Sequence, residues 1–454
     1  MIRQLKLSRY YNKHMLVLSG NGVQMVVGFA TSFVLFHYLS MEAAGMWYFI
    51  QTFVAICESA RYGFFATATV KFYAGTEHER ARTVLGSVWF LALAMTAIIL
   101  GLNALGTLYL PYTTNVELIL CIKWVGITYL SSLPADVVFW RLQADERYGA
   151  MFLYRMVNSL STIIVFIALI CLHKFTLENA LIFNFLTNSL CSVIGILGNL
   201  SGIRYFGNRT RECIKEIFHF GKFTFGTTML STTLASSDTW IINALLGPAA
   251  VAVYNLAMRF MGLIDMPLRS FVTTGMSEMA IQHNAGNKHQ VVYIFKKYAG
   301  MLTMAFIPFA AVAFVGGSFA IKIMGGHNYD GGPILAAINA YGLMLILSIF
   351  YPIDRFNGLA LDIIHRTKTN FYKVVLMLAV KIAAGLIFTF TLRNIFGVVI
   401  GNYLMTLAGI LYGYYELRKN FDYTIPGILS AGYTEMKTFL KKEIKVLSRS
   451  KKDP

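Results

Sequence analysis

Long apolar runs, separated by short charged loops, dominate the chain. A helix needs about 20 mostly apolar residues to cross a bilayer. Twelve runs meet that need, centred near residues 27, 58, 96, 128, 160, 190, 233, 264, 308, 345, 380 and 406. The pattern predicts an all-α polytopic membrane protein with twelve transmembrane helices. The composition agrees, since 56% of residues are hydrophobic, only 13% are charged and the mean hydropathy is +0.58.

The chain contains an internal repeat, because residues 220–280 echo residues 13–73 at a constant offset of 207. Polar and aromatic positions match across the repeat: Gln24 falls on Ser231, Thr31 on Asp238, Trp47 on Tyr254 and Glu58 on Asp265. Repeated bundles with a central substrate path are typical of secondary transporters. We therefore expect two lobes of six helices each.

The expected lobes cover residues 1–203 and 220–420, joined by a basic cytoplasmic linker at 204–219. After residue 420, apolar residues such as Ile428 and Met436 lie on one helical side and lysines such as Lys437 on the other. Residues 421–454 are therefore predicted to form a basic amphipathic tail on the inner leaflet. A disordered basic tail is the alternative.

The distribution of basic residues predicts the orientation in the membrane. Of 39 Lys and Arg, only Lys174, Lys322 and Arg393 fall in outer loops if both termini are cytoplasmic. Such residues are retained on the cytoplasmic side of short loops, so the bias predicts a multi-pass protein with both termini cytoplasmic. The net charge of +17 then reflects topology and attraction to anionic membrane lipid rather than nucleic-acid binding.

The sequence lacks the patterns of several other functional classes. Its five cysteines show no CxxC spacing and its nine histidines no HExxH pattern, so we expect neither a disulfide framework nor a metal site. No G-x-x-x-x-G-K-[S/T] phosphate loop occurs, which argues against ATP hydrolysis by that route. We expect no cofactor and no enzymatic activity.

Charged residues within the predicted spans carry the functional information, since a cation at mid-membrane costs about 2.5–3.5 kcal/mol. Arg61, Arg259 and Lys381 are deep, and Arg269 is intermediate. Other basic residues near span ends are predicted to extend their charges to the membrane surface: Lys123, Arg155 and Arg355. Four prolines are predicted to bend the spans that contain them: Pro134, Pro267, Pro308 and Pro352.

Polar residues form stripes along four of the predicted helices. At 100° per residue, one arc of span eight contains Asn255, Arg259, Asp265 and Arg269. A similar arc of span two contains Gln51, Glu58 and Arg61, and spans one and seven contribute Gln24 and Asp238. We expect these stripes to face a water-filled cleft between the lobes. Intrahelical pairs (Glu58 with Arg61, Asp265 with Arg269) and a local bond from Asp238 to Ser231 remain alternatives.

The charges in the predicted cleft favour an anionic substrate. Four cations (Arg61, Arg259, Arg269 and Lys381) outnumber the three carboxylates (Glu58, Asp238 and Asp265), and a guanidinium matches phosphate oxygens. Gln24, Gln51 and Asn255 are candidate hydrogen-bond partners of a glycan. The carboxylates are candidate sites for coupling to H⁺ or Na⁺.

Several segments resemble a known superfamily. These are the G-N-G near the start of span one, the LSMEAAGMW turn, the FATATVKFYAG ending of span two, and ALLGPAAVAVYNLAMRF in the second lobe. They resemble bacterial polysaccharide or O-antigen flippases (Wzx-like) of the multidrug/oligosaccharidyl-lipid/polysaccharide (MOP) exporter superfamily. The resemblance covers about residues 10–420.

The resemblance implies a V-shaped carrier of two six-helix lobes, like MATE transporters of the superfamily. It implies that the carrier moves a polyprenyl-pyrophosphate-linked oligosaccharide from the inner to the outer face by alternating access, for surface polysaccharide biosynthesis. It further implies a role for cationic cleft residues, most plausibly Arg61, Arg259 and Lys381. A glycan polymerase and a chain-length regulator are candidate partners.

Other functions stay open at this point. A cation-coupled drug exporter of the same superfamily would prefer an acidic cleft, and a lipid II flippase resembles a longer chain. A membrane-embedded glycan polymerase or acyltransferase would also be basic and polytopic. Neither enzyme class explains the repeat.

Overall fold

The computed structural model describes residues 22–450, with side chains described as far as residue 438. The predicted basic N-terminus and the far end of the predicted tail lie outside the described residues. The described chain is helical over most of its length. Its helices are α1 (Gly22–Tyr38), α2 (Met41–Tyr73), α3 (His78–Thr107), α4 (Val116–Ala144), α5 (Tyr148–Cys171), α6 (Leu177–Leu197), α7 (Arg211–Leu246), α8 (Pro248–Met258), α9 (Gly262–Asn284), α10 (Lys288–Gly325), α11 (Gly332–Ser348), α12 (Tyr351–Ile363), α13 (Thr367–Leu392), α14 (Phe396–Arg418) and α15 (Ile425–Ser450).

Every predicted span centre falls within one of these helices. Within the described residues, eight helices or continuous helical segments are long and apolar enough to cross a membrane, and a bent pair brings the number to nine. The remaining three predicted spans correspond to α1, which is short, and to α2 and α7, which carry the polar stripes. The chain is thus a multi-pass, all-α membrane protein, as predicted.

The bent pair is α11 and α12, which meet at 45°. Pro352 lies in the first turn of α12, where the missing N–H costs no helical hydrogen bond. The predicted bend at Pro352 is confirmed. Pro134, Pro267 and Pro308 instead lie inside α4, α9 and α10.

The internal repeat is visible in the helix boundaries. Helix α2 begins at Met41 and α8 begins at Pro248, which is the predicted offset of 207. The two starts use different chemistry: the Ser40 hydroxyl accepts a hydrogen bond from the Ala43 N–H, whereas Gly247 turns the chain at a φ of +84° before Pro248. In the second copy a 3₁₀ turn, Arg259–Met261, separates α8 from α9.

Tertiary contacts divide the chain between Thr239 and Trp240, near the end of α7. We call the two parts unit 1 and unit 2. The linker predicted at 204–219 lies in unit 1. It overlaps a 3₁₀ segment, Ile203–Asn208, and includes the first turns of α7.

The segment before α7 is fastened to unit 1 by specific contacts. The Trp89 indole N–H donates to the Ser201 carbonyl at 2.9 Å. Arg141 donates to the carbonyls of Asn199 and Leu200 at 2.9 and 3.0 Å. Gly86 of α3 faces the Tyr205 carbonyl so closely that a Cβ would lie 2.3 Å from the oxygen. These contacts satisfy backbone carbonyls that a loop would otherwise leave to water.

In unit 2 the tail helix α15 packs on α10. Gly300 and Gly432 meet backbone to backbone, since a Cβ on Gly300 would lie 2.1 Å from the Ile428 carbonyl oxygen. Ile428 is fully buried, and Phe295 packs edge-on against Tyr423 just before the helix. The first turns of the tail are therefore docked against the protein.

Candidate functional site

A polar cavity of about 420 Å³ lies within unit 1, surrounded by apolar helices. We call it the N-lobe pocket. Helices α1, α2, α4, α5 and α6 all contribute to its wall. Its polar lining residues are Gln24, Gln51, Glu58, Tyr62, Thr128, Ser132, Asp136, Tyr154, Arg155, Asn158, Asn184 and Asn188.

Helical spacing explains how so many polar residues reach one cavity. On α2, Gln51, Glu58 and Tyr62 are separated by seven and four residues, so they lie on one face. On α6, Asn184 and Asn188 are four apart. The Asn158 amide of α5 meets the Asn188 side-chain carbonyl at 3.4 Å, which links the two helices across the pocket wall.

Arg61 lies behind the pocket and is fully buried. Its guanidinium pairs with the Asp136 carboxylate of α4 at 2.5 Å and donates to the Ser132 hydroxyl at 2.6 Å. It also donates to the Tyr129 carbonyl at 2.9 Å, and its Cζ lies 4.1 Å from the centre of the Tyr129 ring. These contacts offset the free-energy cost of removing the Arg61 charge from water.

The two carboxylates of the pocket differ in their surroundings. Asp136 pairs with Arg61, and 34% of its side chain remains exposed. Glu58 forms neither an ion pair nor a hydrogen bond with any described side chain. The alternative of a closed Glu58–Arg61 pair is therefore wrong, because the guanidinium is turned toward α4.

Arg155 lies on the pocket wall with its Cζ 4.1 Å from the centre of the Phe139 ring. The extension of the Arg155 charge to the membrane surface stays a prediction, and the structure adds a place for this residue on the pocket wall. Helix α5 places this residue against α4, where an aromatic face stabilises the cation. The pocket thus contains an arginine next to its amides.

The structure brings together three of the predicted site residues: Gln24, Gln51 and Glu58 line the N-lobe pocket. Arg61 joins them indirectly through Asp136. Asp238 is buried near the end of unit 1, and the Ser231 hydroxyl of the same helix donates to the Thr227 carbonyl.

The other predicted residues belong to unit 2. The Asn255 amide donates to the Val251 carbonyl one turn earlier at 2.9 Å. Arg259 begins the 3₁₀ turn, Asp265 is half-buried, and Arg269 is exposed. A 3₁₀ turn rotates about 120° per residue instead of 100°, so the predicted single stripe is shifted by roughly 60° across it. Lys381 is buried on α13.

Sequence reasoning missed several pocket residues: Asp136, Asn158, Asn184 and Asn188. A signal for Asp136 was present, because a carboxylate two residues after Pro134 interrupts an apolar span. The i, i+4 spacing of Asn184 and Asn188 was a second signal.

The lining chemistry suits a polyhydroxylated ligand. Five carboxamides (Gln24, Gln51, Asn158, Asn184 and Asn188) offer both donors and acceptors, which matches the hydroxyls of sugars. The pocket also contains two carboxylates, Glu58 and Asp136, which could bind a proton or a monovalent cation beside the arginines. No group of three or more His, Cys, Asp or Glu side chains within the described residues is arranged to hold a metal.

Comparisons with known proteins identify sequence and fold relatives. The polysaccharide biosynthesis protein family matches residues 34–331. No curated protein matches the chain in sequence. Among solved structures, the chain is similar to an inward-facing MATE multidrug resistance transporter of the MOP superfamily, with 16% identity and a TM-score of 0.71 over 88% of this chain and 96% of that chain.

Two further structures extend the similarity. The lipid II flippase MurJ, in an inward closed conformation, has 15% identity and a TM-score of 0.65 over 95% of this chain and 93% of that chain. A MOP superfamily transporter from Pyrococcus furiosus has 16% identity and a TM-score of 0.58 over 89% and 94%. At such identities the similarity shows the fold alone. The predicted resemblance is confirmed at that level.

Proposed function

Because the chain belongs to the polysaccharide biosynthesis protein family, we propose that it flips a polyprenyl-pyrophosphate-linked oligosaccharide across the bacterial cytoplasmic membrane. The observation that carries this proposal is the N-lobe pocket, a carboxamide-lined cavity within a membrane-spanning unit. Buried polar groups in such a unit are costly unless they serve a ligand or one another. The MOP-type fold supports transport by alternating access.

In this proposal the N-lobe pocket receives part of the glycan. Sugar hydroxyls replace the water that would otherwise solvate Gln51, Asn158 and Asn188, and Arg155 on Phe139 adds a positively charged wall. A cavity of about 420 Å³ is within the usual range for small-ligand sites. The pocket therefore suits one segment of an oligosaccharide rather than a whole repeat unit.

The pyrophosphate is assigned to cations of unit 2. Arg259, Arg269 and Lys381 are the proposed contacts, with Asn255 as a nearby hydrogen-bond partner. The engagement of Arg61 with Asp136 favours a different role for Arg61, which is to hold that carboxylate in place. The lipid tail stays in the bilayer.

Coupling to H⁺ or Na⁺ is proposed at Glu58, with Asp136 as its neighbour and Asp238 and Asp265 as further candidates. Glu58 faces the same pocket as the proposed glycan contacts but has no described hydrogen-bond partner. Protonation or cation binding at Glu58 would change the charge seen by the ligand in the pocket. Because the ion and the glycan would bind in the same pocket, binding of one would change the affinity for the other.

The test is mass spectrometry of lipid-linked sugars, and of surface polysaccharide, in cells with and without the gene. We expect deletion to accumulate a complete polyprenyl-pyrophosphate-linked repeat and to remove the surface polymer. Asn158→Ala combined with Asn188→Ala should reproduce the accumulation at normal protein levels. Asn420→Ala, which changes an exposed residue after α14, is the matched control and should restore export.

A drug exporter is the second candidate, because the two pocket carboxylates would also suit a cationic drug. Unchanged lipid-linked sugars together with accumulation of cationic drugs in the deletion strain would favour that function. Accumulation of lipid II would instead indicate a lipid II flippase. Repeats that reach the outer face unpolymerised, or lack only an acyl group, would indicate a polymerase or acyltransferase.

A further inference from the structure

A second polar cavity, of about 380 Å³, lies at one end of unit 1, where α2 ends, α3 begins and α4 ends. We call it the linker pocket, because the segment before α7 closes one side of it. Its polar lining consists of Tyr73, His78, Arg82, Arg141, Asp145 and Tyr205. None of these residues belongs to the N-lobe pocket.

Positive charge exceeds negative charge in the linker pocket. Asp145 lies 3.6 Å from Arg141, whose Nη1 also binds the carbonyls of Asn199 and Leu200. Arg82 forms no ion pair with any described carboxylate. Its guanidinium carries an unneutralised charge on the pocket wall.

Tyr205 orients two guanidinium groups at this site. The Cζ of Arg82 lies 5.5 Å from the centre of the Tyr205 ring, and that of Arg204 lies 4.8 Å from it. Arg204 also donates to the Tyr205 hydroxyl at 2.6 Å. Stacking on an aromatic ring limits the rotamers of both arginines, which reduces the entropy lost when a ligand binds.

The titration of Tyr205 is consistent with a positive local potential. Burial raises the pKa of its hydroxyl, but the hydrogen bond from Arg204 and the charges of Arg204, Arg82 and Arg141 outweigh burial, so the pKa is lowered overall. The same potential would attract an anion.

The first turn of α3 adds backbone donors. Helix α3 begins at His78, and Glu77 before it makes no side-chain capping bond to the first N–H groups. Such N–H groups and the helix dipole favour an anion at a helix start. The same turn also contains the acidic Glu79, so the guanidinium groups of Arg82 and Arg141 are the main anion-binding groups of the pocket.

We propose that the linker pocket binds a phosphate group, supplied by the headgroup of an anionic lipid in the inner leaflet. The basic-residue bias of the sequence assigns this end of unit 1 to the cytoplasmic face, where anionic headgroups lie. The bound lipid contacts Arg82 of α3 inside the pocket, and Arg204, which stacks on Tyr205 beside the pocket without lining it, extends the site along the linker. This site does not depend on which substrate the protein transports.

The test uses the full-length protein in nanodiscs of phosphatidylcholine containing a minor fraction of phosphatidylglycerol. Native mass spectrometry counts the phosphatidylglycerol molecules that stay bound. We expect Arg82→Gln and Arg204→Gln each to weaken retention about tenfold, the usual effect of losing one charged hydrogen bond. Arg82→Lys should give an intermediate result, because a lysine keeps the charge but not the fork.

Arg211→Gln is the matched control. It removes one positive charge from the same basic segment at an exposed position that neither lines the pocket nor contacts Tyr205. Its effect should be about twofold or less, the part due to general attraction to an anionic surface. Since Arg82 and Arg204 are both exposed, their variants should fold normally.

The outcomes separate the possible sources of the phosphate. If excess inorganic phosphate leaves the lipid bound, the lipid headgroup is the ligand. If inorganic phosphate at a concentration no higher than that of the lipid displaces it completely, the pocket prefers free phosphate, and the assignment to lipid is overturned. Equal retention in Arg82→Gln, Arg204→Gln and Arg211→Gln would overturn the site itself.

Discussion

Arg61 shows at the residue scale how this protein keeps a cation within an apolar helix. Four described contacts surround its guanidinium: the carboxylate of Asp136, the hydroxyl of Ser132, and the carbonyl and ring of Tyr129. Three of the four come from groups within one helical turn on α4. The guanidinium thus connects α2 to α4. It also fixes Asp136, which lines the N-lobe pocket.

Asp136→Asn should destabilise the protein by about 3 kcal/mol, because it leaves Arg61 buried without a compensating charge. We expect a loss at the low end of the about 3–5 kcal/mol typical of broken buried ion pairs, because Asp136 is partly exposed and water screens its charge. The measurement is the melting temperature of the purified, detergent-solubilised protein. Replacing both partners, with Arg61→Met and Asp136→Leu, should recover most of the loss.

Glu58→Gln is the control for this prediction. Glu58 has no ion-pair partner among the described residues, so its neutralisation should change stability by less than about 1 kcal/mol. Equal loss in Asp136→Asn and Glu58→Gln would contradict the account of Arg61. Equal stability of Asp136→Asn and wild type would contradict it as well.

At the scale of elements, glycines set the positions where segments meet. Gly86 lets the linker lie on α3, and Gly300 with Gly432 lets α15 lie on α10. In each case backbone atoms occupy the space that a Cβ would need. Other glycines in the same helices face open space, which provides matched controls.

Gly86→Ala should displace the linker from α3. Its Cβ would meet the Tyr205 carbonyl oxygen at 2.3 Å, and backbone cannot turn aside as a side chain can. We expect a destabilisation of about 1–3 kcal/mol, measured as a fall in melting temperature. Gly101→Ala in the same helix has nothing within 4 Å and should leave stability unchanged or slightly raised. Similar melting temperatures for the two variants would refute the docking of the linker.

Gly300→Ala should loosen the tail helix, because a Cβ at that position would overlap the carbonyl oxygen of Ile428. The measurement is the rate of tryptic cleavage after Lys437, which is exposed on α15. We expect faster cleavage than in wild type, since proteolysis requires a locally opened chain. Gly316 of α10 faces open space, so trypsin should cleave the Gly316→Ala protein at the wild-type rate. Equal rates in both variants would show that the tail does not depend on this contact.

For the whole molecule, the fold could be predicted further from sequence than the site. Span positions follow from length and apolarity, which depend on the bilayer and not on the neighbouring helices. The repeat found in the sequence is also present in the structure, where α8 begins 207 residues after α2. A bend was also predicted at Pro352, and α11 and α12 do meet at an angle there, but Pro352 begins α12 and removes no hydrogen bond from inside a helix.

The site was predicted only in part, for a physical reason. Periodicity shows which residues share one helix face, and so it grouped Gln51 with Glu58. It cannot show which helix packs against that face, so the partner of Arg61 on α4 was missed. The amides of α5 and α6 join the pocket only through packing between helices. The 3₁₀ turn at Arg259 also breaks the regular spacing on which the stripe of span eight depended.

The orientation of the whole molecule predicts which native cysteine reacts from outside. Cys171 is exposed at the end of α5 that the basic-residue bias assigns to the outer face. Cys121, Cys191 and Cys213 are buried, and Cys57 is half-buried. A membrane-impermeant maleimide added to spheroplasts should label the wild type but not Cys171→Ser. Labelling only after the membrane is opened would reverse the proposed topology.

The central claim is that this chain moves a lipid-linked glycan across a bilayer. The most direct measurement is made on liposomes that contain the purified protein and a polyprenyl-pyrophosphate-linked oligosaccharide, with a glycan-cleaving enzyme added outside. If the protein is a flippase, the enzyme will reach the inner pool of glycan in wild-type liposomes, and much more slowly in those with Asn158→Ala and Asn188→Ala. An inner pool that stays protected in wild-type liposomes at every ion gradient applied would contradict the claim.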